Sequence, residues 1–243
     1  MKKKIRRTVT YLLLSACFFV QLQEQVNAKN RFDYEKDGDI FWDTETDEKV
    51  IALTFDDGPH SKYTPAMLDI LADYGAKATF FVLGAHAEKF PDILYRQFSE
   101  GHEIGNHTYD HTTNLNKLRQ EMKETSDIIY AITGTRPKLF RPVGGDYSDT
   151  IVRIAKENQL SVVLWSWDQD TKDWSDTDYK AIADHVIQNV SPGDVVLFHD
   201  AGGNREETVK ALPLILDYLT ENEYEMITVS EMIEKDEKLK RNE

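Results

Sequence analysis

Short apolar runs alternate with longer amphipathic segments along most of this 243-residue chain. Each run has the length of a buried strand, and the segments between the runs carry apolar residues at the three- and four-residue spacing of a helix. The predicted strands are residues 50–55, 78–83, 103–106, 139–143, 161–167, 194–199 and 224–229. The predicted helices include residues 64–73, 87–100, 115–132, 176–190 and 206–222. This alternation predicts a parallel sheet in an α/β fold, either a barrel or an open doubly wound sheet.

The N-terminus has the pattern of a secretory signal. A basic start is followed by an apolar stretch and by small residues near Ala28, where a signal peptidase would cleave. The apolar stretch is shorter than the roughly 20 residues of a membrane span, so we predict a signal peptide over residues 1–28. A second interpretation is that residues 14–17 are a lipobox, which would leave a lipid-anchored Cys17.

The remainder is predicted to be one domain with short polar ends. Residues 29–48 form an N-terminal lead-in, residues 49–233 form the domain, and residues 234–243 form a charged C-terminal tail. No glycine-serine or proline-rich linker interrupts the chain after residue 28, and its length suits a single core.

Cysteine usage and charge exclude several kinds of site. Cys17 is the only cysteine, so the chain after residue 28 can form no disulfide and no thiolate metal site. The first 28 residues hold five of the 29 basic and one of the 43 acidic residues, so the remainder has a net charge of −18. Such a surface repels polyanions, and we expect no nucleic-acid partner.

Two adjacent carboxylates follow the first predicted strand. Asp56 and Asp57 stand between an apolar run and Gly58-Pro59, a pair that turns the chain. Side chains alternate along a strand, so the two carboxylates should point in different directions. One can then bind a cation while the other accepts a proton. The tetrapeptide alone is equally consistent with a solvated turn.

Three histidines add to this pattern. His107 and His111 have a four-residue spacing that would place two imidazoles on one side of a helical turn, within reach of one cation. With Asp57 they form a set that leaves coordination positions open for water and substrate. His199 ends another predicted strand, where it could protonate a leaving group or be a buried structural histidine. All these residues follow strands at the edge that forms the active face of parallel α/β folds.

Five motifs in this sequence resemble those of the polysaccharide deacetylases with a NodB homology domain, the carbohydrate esterase family 4 enzymes. They match in order and spacing and span most of the chain after residue 28. The motifs are Thr54-Phe55-Asp56-Asp57-Gly58-Pro59-His60, His107-Thr108-Tyr109-Asp110-His111, Arg141-Pro142-Val143-Gly144-Gly145, Asp170-Thr171-Lys172-Asp173-Trp174 and Leu197-Phe198-His199. The resemblance implies a distorted (β/α) barrel of about seven parallel strands.

The resemblance also implies catalytic roles. It makes Asp56 the general base, held by Arg141. It makes His199 the general acid that protonates the departing amine, and it makes Asp173 the carboxylate that orients His199 and favours its protonated form.

The same resemblance implies a metal site and a substrate groove. It makes Asp57, His107 and His111 the ligands of one divalent metal ion, with zinc expected and cobalt, nickel or manganese as alternatives. The residues that would contact substrate are Gly144, through its backbone N–H, and Trp174 and Leu197, which would line the groove.

One motif departs from the family pattern. Many members carry Pro-Pro-Tyr after the arginine, whereas this chain has Pro142-Val143-Gly144, which keeps a backbone donor but removes an aromatic wall. The nearby aromatic residues are Tyr147, Trp165 and Trp167. We expect these three to pack in the core rather than to form a sugar platform.

We therefore expect an exported, metal-dependent hydrolase that removes N-acetyl groups from N-acetylhexosamine residues of a cell-envelope glycan. Peptidoglycan is the first candidate and chitin-type oligosaccharides are the second. The alternatives are an O-deacetylase of xylan or another acetylated polysaccharide, and a non-catalytic glycan-binding protein with the same fold. The expected location is secreted or cell-wall associated. A membrane anchor would require an uncleaved signal or a lipidated Cys17.

Overall fold

The computed structural model of the chain describes residues 29–242, and it describes side chains as far as Lys238. The predicted signal peptide and the lipobox both lie outside the described residues. Within residues 29–242, no helix combines the length and the apolar character needed to cross a membrane. Within the described residues, the chain divides into two compact units, one that ends at Gly38 and one that begins at Asp39.

In the first unit, helix α1 (Arg31–Lys36) begins with a reciprocal cap. Oδ1 of Asn30 accepts a hydrogen bond from the backbone N–H of Asp33 at 3.3 Å. The Asp33 carboxylate in turn accepts one from the backbone N–H of Asn30 at 2.9 Å. The cap satisfies N–H groups that the start of a helix leaves unpaired. The predicted lead-in therefore contains a short helix.

The second unit is built on parallel strands, eight of them in the described part of the chain. The strands are β1 (Ile40–Phe41), β2 (Val50–Asp56), β3 (Ala78–Val82), β4 (Glu103–Asn106), β5 (Leu139–Phe140), β6 (Ser161–Val163), β7 (Val195–His199) and β8 (Glu225–Met226). Seven follow the order β1-β6-β5-β4-β3-β2-β7, and β8 pairs with the start of β2. The prediction of a distorted barrel of about seven parallel strands is confirmed. Strand β1 was not predicted, because two residues within polar chain show no periodic pattern.

Irregular segments of chain link β1 and β7, the strands at the two ends of this order. The backbone N–H of Thr44, just after β1, donates to the carbonyl of Gly193, just before β7 (3.2 Å). The segment after β6 also pairs with β7, through bonds from Ser166 to Val195 (3.0 Å) and from Leu197 to Gln169 (2.9 Å). Because this segment pairs with β7 and the pairing of β6 with β5 stops at Val162, β6 is shorter than the predicted strand of residues 161–167.

Strand β2 is the centre of the core. It lies between β3 and β7, and all seven of its residues are buried. The ring of Phe55 stacks against Phe80 and Phe198, with centroid distances of 5.0 and 5.4 Å. Burial on both faces explains why β2 is an unbroken apolar run rather than an alternating one. It also places Asp56 at the end of a closely packed strand.

Helices surround the sheet. They are α2 (Tyr63–Asp73), α3 (Gly84–Lys89), α4 (Pro91–Ser99), α5 (Leu115–Thr133), α6 (Asp149–Glu157), α7 (Tyr179–Asn189), α8 (Glu206–Glu221) and α9 (Val229–Asn242). The predicted helix 87–100 is two helices, because Pro91 disfavours a helical conformation at Phe90, which has φ −130° and ψ 57°. Helix α6 was not among the predicted helices, and α9 continues through the charged tail as far as Asn242.

Candidate active site

Asp56, the last residue of β2, is buried and paired with Arg141. Nη1 of Arg141 donates to Oδ1 of Asp56 at 2.9 Å and to Oγ1 of Thr54 at 2.7 Å. Nη2 donates to the backbone carbonyl of Leu164 at 2.8 Å. Burial lowers the pKa of Arg141, and the charge of Asp56 opposes that shift. Because the ordinary pKa of arginine is so high, the guanidinium stays charged and holds the carboxylate in place.

Asp57 and two histidines meet beside Asp56. Oδ1 of Asp57 lies 3.5 Å from Nε2 of His107 and 3.3 Å from Nε2 of His111. One donor atom from each of the three residues lies within 4.8 Å of the other two. This Oδ1 is buried and has no hydrogen-bond partner in the described part of the chain, which is costly for a carboxylate oxygen. The donor types and the unsatisfied oxygen fit a divalent metal ion, so the cluster could hold one.

A hydrogen bond behind the cluster orients one imidazole. Nδ1–H of His107 donates to the backbone carbonyl of Arg141 at 2.7 Å, which directs the Nε2 lone pair toward Asp57. Bonds of this kind fix the tautomer and ring orientation of metal-binding histidines. Burial lowers the pKa of His107, which favours the neutral ring that a metal requires. The side chain of His111 is 48% exposed, so the cluster is open to solvent on that side.

The loop that carries both histidines is irregular, and the predicted helical turn over residues 107–111 is wrong. Thr108 and His111 adopt left-handed conformations, with φ of 71° and 55°. Oδ1 of Asn106 accepts from the backbone N–H of Thr108 at 2.9 Å. The carboxylate of Glu121 accepts from the next two backbone N–H groups, at 3.2 and 3.1 Å. The curvature of this loop brings the two imidazole rings to a centroid distance of 5.4 Å.

His199 ends β7 and pairs with Asp173. Nδ1 of His199 lies 2.7 Å from Oδ1 of Asp173, and the backbone N–H of His199 donates to Oδ2 at 2.9 Å. Oγ1 of Thr208 donates to the same Oδ2 at 2.9 Å. Burial by itself would lower the pKa of His199, but the bond to Asp173 and the charges of nearby aspartates raise it overall. His199 therefore retains a proton more readily than a free histidine, as a general acid requires.

Arg205 is a buried residue of the site that the sequence analysis missed. Its guanidinium donates to the backbone carbonyls of Ala201 (2.6 Å), Asp173 (2.9 Å) and Gly202 (3.1 Å). These bonds tie the loop after β7 to the backbone of Asp173. In the sequence Arg205 stands directly before Glu206 and resembles an ordinary surface charge, so no motif indicated it.

Asp200 is a second residue that was missed. It is fully buried, and its Oδ2 accepts a hydrogen bond from Oγ1 of Thr64 at 2.5 Å. Burial, reinforced by the charge of Asp57, raises the pKa of Asp200 to about 7. A Cβ at Gly58 would lie 2.2 Å from Oδ2 of Asp200, so the carboxyl packs directly against the turn after Asp57. Its place next to His199 was the signal that could have indicated it.

A cavity of about 350 Å³ lies over these groups. Eight of the ten predicted site residues line it: Asp56, Asp57, His107, His111, Gly144, Trp174, Leu197 and His199. The other two, Arg141 and Asp173, bond to Asp56 and His199 from behind this lining. Trp174 is 55% exposed. The structure therefore brings all ten predicted residues together.

Gly144 contributes no side chain to the lining of this cavity. This residue lies in a 3₁₀ turn, Val143–Gly145, and has φ +66°, a conformation that glycine adopts without strain. Apart from Gly144 and its two neighbours in sequence, no heavy atom of the described chain lies within 4 Å of the position that a Cβ would occupy there. The hydrogen bonds of the turn come from the backbone N–H groups of Gly145 and Asp146.

The expectation that three nearby aromatic residues pack in the core is wrong for two of them. Trp167 is 82% exposed and Tyr147 is 40% exposed. Both lie on irregular chain outside the sheet, where strand periodicity does not determine burial. Trp165 is half-buried, and its ring lies 5.7 Å from the guanidinium carbon of Arg141.

Known proteins match this chain in sequence and in structure. The sequence model of the polysaccharide deacetylase family matches residues 43–163. A peptidoglycan-N-acetylglucosamine deacetylase of Bacillus cereus is 41% identical over 208 residues, which are 84% of this chain and 97% of that protein. The peptidoglycan-N-acetylmuramic acid deacetylase PdaC of Bacillus subtilis is 37% identical over 191 residues, which are 77% of this chain but 39% of that protein.

A solved structure has the same fold. The crystal structure of a peptidoglycan N-acetylglucosamine deacetylase, in complex with 4-naphthalen-1-yl-N-oxidanyl-benzamide, matches with a TM-score of 0.78 at 35% identity. The match covers 84% of this chain and 97% of that one. The distorted barrel is thus the fold of a known carbohydrate-active hydrolase. The chain belongs to the polysaccharide deacetylase family. It is an enzyme of the class that hydrolyses carbon–nitrogen amide bonds outside peptides.

Proposed function

We propose that this chain is an exported, metal-dependent deacetylase that removes N-acetyl groups from N-acetylhexosamine residues of peptidoglycan, with N-acetylglucosamine as the preferred sugar. One observation carries the proposal: the Asp57–His107–His111 cluster shares a cavity with Asp56 and His199. The choice of glycan is supported by the Bacillus cereus relative, which is named for that substrate and is matched over 97% of its length.

Asp57, His107 and His111 would hold the metal ion. A divalent cation there supplies Lewis acidity, which lowers the pKa of water and polarises a carbonyl group. Zinc is our first choice because it accepts two imidazoles and a carboxylate and keeps a position open. Cobalt, nickel and manganese accept the same donors.

Asp56 would be the general base. Arg141 holds its carboxylate through a buried ion pair, which leaves Oδ2 directed toward the histidine cluster, 4.0 Å from Nε2 of His107. From this position the carboxylate can take a proton from a water that attacks the acetyl carbon. The backbone N–H of Gly144, which also lines the cavity, would donate to the acetyl oxygen as negative charge develops there.

His199 would be the general acid. Its Nδ1 is held by Asp173, so Nε2 carries the proton that can be given to the amide nitrogen as the carbon–nitrogen bond breaks. The carboxylate of Asp173 stabilises the imidazolium before this transfer, and the bond from Thr208 fixes that carboxylate. Trp174 and Leu197 would line the space for the sugar ring and the acetyl methyl group.

Export is proposed from the sequence of residues 1–28. The basic start, the apolar stretch and the small residues before Lys29 support cleavage after Ala28, with lipidation of Cys17 as the alternative product. The intact mass of the protein recovered from outside the cytoplasm distinguishes them, since cleavage after Ala28 leaves a chain that starts at Lys29. A mass that includes residues 1–28 would contradict the proposed processing.

The substrate proposal is tested by acetate release. The zinc-loaded protein is incubated with N-acetylated peptidoglycan, with N-acetylglucosamine oligomers and with acetylated xylan, and acetate is measured over time. We expect the highest kcat/KM on peptidoglycan. A higher kcat/KM on acetylated xylan would instead indicate an O-deacetylase, which hydrolyses an ester rather than an amide. No release from any of the three would favour a glycan-binding protein without activity.

A further inference from the structure

A second cavity, of about 260 Å³, lies next to the proposed active site. We call it the Tyr147 cavity. Apolar side chains of Leu118, Val143 and Ile151 line it, and Thr112, Thr113 and Tyr147 add polar groups and an aromatic ring. Leu118, Val143 and Ile151 are buried, whereas Tyr147 is 40% exposed. The cavity thus combines an apolar lining with hydroxyl groups and an accessible aromatic ring.

The two cavities are separated by two short pieces of chain. His111 lines the active-site cavity and Thr112, the next residue, lines the Tyr147 cavity. In the same way, Gly144 lines the first cavity and Val143 lines the second. Since Gly144 has no side chain and the space around its Cβ position is open, nothing on that residue blocks a ligand that extends from one cavity to the other.

The aromatic ring at this cavity is held in a defined orientation. The ring of Trp42 packs edge-to-face against Tyr147, with a centroid distance of 5.4 Å and an interplanar angle of 88°. A supported tyrosine offers a large contact surface and loses little conformational entropy on binding. A pyranose ring has apolar C–H faces and a rim of hydroxyl groups, so it matches an aromatic ring beside threonine hydroxyls. The carboxylate of Asp146 in the lining disfavours an anionic ligand.

We propose that the Tyr147 cavity binds the sugar ring linked to the N-acetylhexosamine whose acetyl group enters the active-site cavity. The inference rests on the proposed function, because it assumes that the bound sugar belongs to the glycan that is deacetylated. It makes the enzyme selective for linked sugars, since a single N-acetylhexosamine reaches only the first cavity. Tyr147 then supplies an aromatic contact surface for the sugar, which the glycine at position 144 cannot provide.

The test compares a monomer with an oligomer. In the full chain, kcat/KM is measured on N-acetylglucosamine and on its tetramer for the wild type, for Tyr147→Ala and for Tyr130→Ala. Tyr130 is the matched control, since it is 49% exposed on α5 and lies against Arg136 instead of either cavity. We expect Tyr147→Ala to lower kcat/KM on the tetramer at least tenfold, to leave the monomer rate unchanged and to remove most of the preference for the tetramer. Equal losses on both substrates, or no loss on the tetramer, would overturn the inference.

A second variant and a binding measurement guard against misfolding and against loss of activity for other reasons. Thr113→Trp keeps Tyr147 and fills the cavity, so it should reproduce the selective loss on the tetramer. Calorimetric binding of the tetramer is measured in an Asp56→Asn background with and without Tyr147→Ala. At least tenfold weaker binding supports the cavity even if the wild type releases no acetate, an outcome that would reject the proposed function alone. Unchanged tetramer binding would reject the cavity whatever the activity.

Discussion

The backbone carbonyl of Arg141 accepts a hydrogen bond from Nδ1 of His107 at 2.7 Å, while the guanidinium of the same arginine donates to Asp56 at 2.9 Å. One residue therefore positions the proposed base with its side chain and a proposed metal ligand with its backbone. A substitution at position 141 removes only the first of these contacts, because every residue keeps the backbone carbonyl.

Arg141→Met should lower the free energy of unfolding by about 3–5 kcal/mol, because it leaves the carboxylate of Asp56 buried without its partner. Deacetylation should fall by about a hundredfold or more as the base loses its position. Metal affinity should change much less. Denaturant unfolding, acetate release and metal titration measure the three effects. The matched control is Arg136→Met, an exposed arginine, for which we expect a stability change within about 0.5 kcal/mol. Complete loss of metal in Arg141→Met would contradict this separation of the two contacts.

Asp57→Ala should abolish tight metal binding, because it removes the carboxylate that joins His107 and His111. In the wild type, metal at about 100 times its Kd should stabilise the fold by about 2.7 kcal/mol. The protein is first treated with a chelator, and its thermal unfolding is then measured with and without added zinc. Asp110→Ala is the control, because it removes an exposed carboxylate from the loop that carries His107 and His111. This variant should show the same zinc-dependent stabilisation as the wild type. An equal zinc-dependent shift in Asp57→Ala would place the metal elsewhere.

Asp173→Asn should move the alkaline limit of activity to lower pH. The active form needs a proton on His199, so activity is lost as pH rises through the pKa of His199. Although burial lowers that pKa, the bond and charge of Asp173 raise it, and the substitution removes both favourable effects. The measurement is kcat/KM as a function of pH, with Asp176→Asn, an exposed carboxylate nearby, as the unchanged control. A shift to higher pH would rule out His199 as the acid.

Arg205→Met should lower kcat about tenfold and leave KM and metal affinity unchanged. The substitution removes the hydrogen bond to the backbone carbonyl of Asp173. The carboxylate of Asp173 is then held less firmly in position beside His199. Loss of hydrogen bonds to buried carbonyls should also destabilise the fold by about 1–3 kcal/mol. Steady-state kinetics and denaturant unfolding measure the two effects, and Lys210→Met on helix α8, which begins directly after Arg205, is the exposed control. A rise in KM with kcat unchanged would instead indicate that Arg205 binds substrate.

The central part of the fold was predictable because burial determines its sequence. Strand β2 is buried on both faces, so it appears as an apolar run, and the turn after it reveals where the carboxylates lie. His199 was found for the same reason, since it ends the buried strand β7. Strand β1 has two residues, too few for any periodic signal.

The parts that could not be predicted depend on backbone conformation and on contacts distant in sequence. The curvature at Thr108 and His111 comes from left-handed residues held by Asn106 and Glu121, and a four-residue spacing does not encode it. Arg205 becomes a site residue only through carbonyl groups up to 32 positions away. The left-handed conformation of Asp57, at φ 75°, was likewise invisible in the alternation of a strand.

The most direct measurement is acetate release from peptidoglycan by zinc-loaded Asp56→Asn protein, with the metal content determined on the same sample. The asparagine keeps the size of the side chain but cannot accept the proton. The wild type should release acetate, and the variant should be slower by at least about a hundredfold with its metal still bound. Release by Asp56→Asn at the wild-type rate would contradict deacetylation with Asp56 as the base.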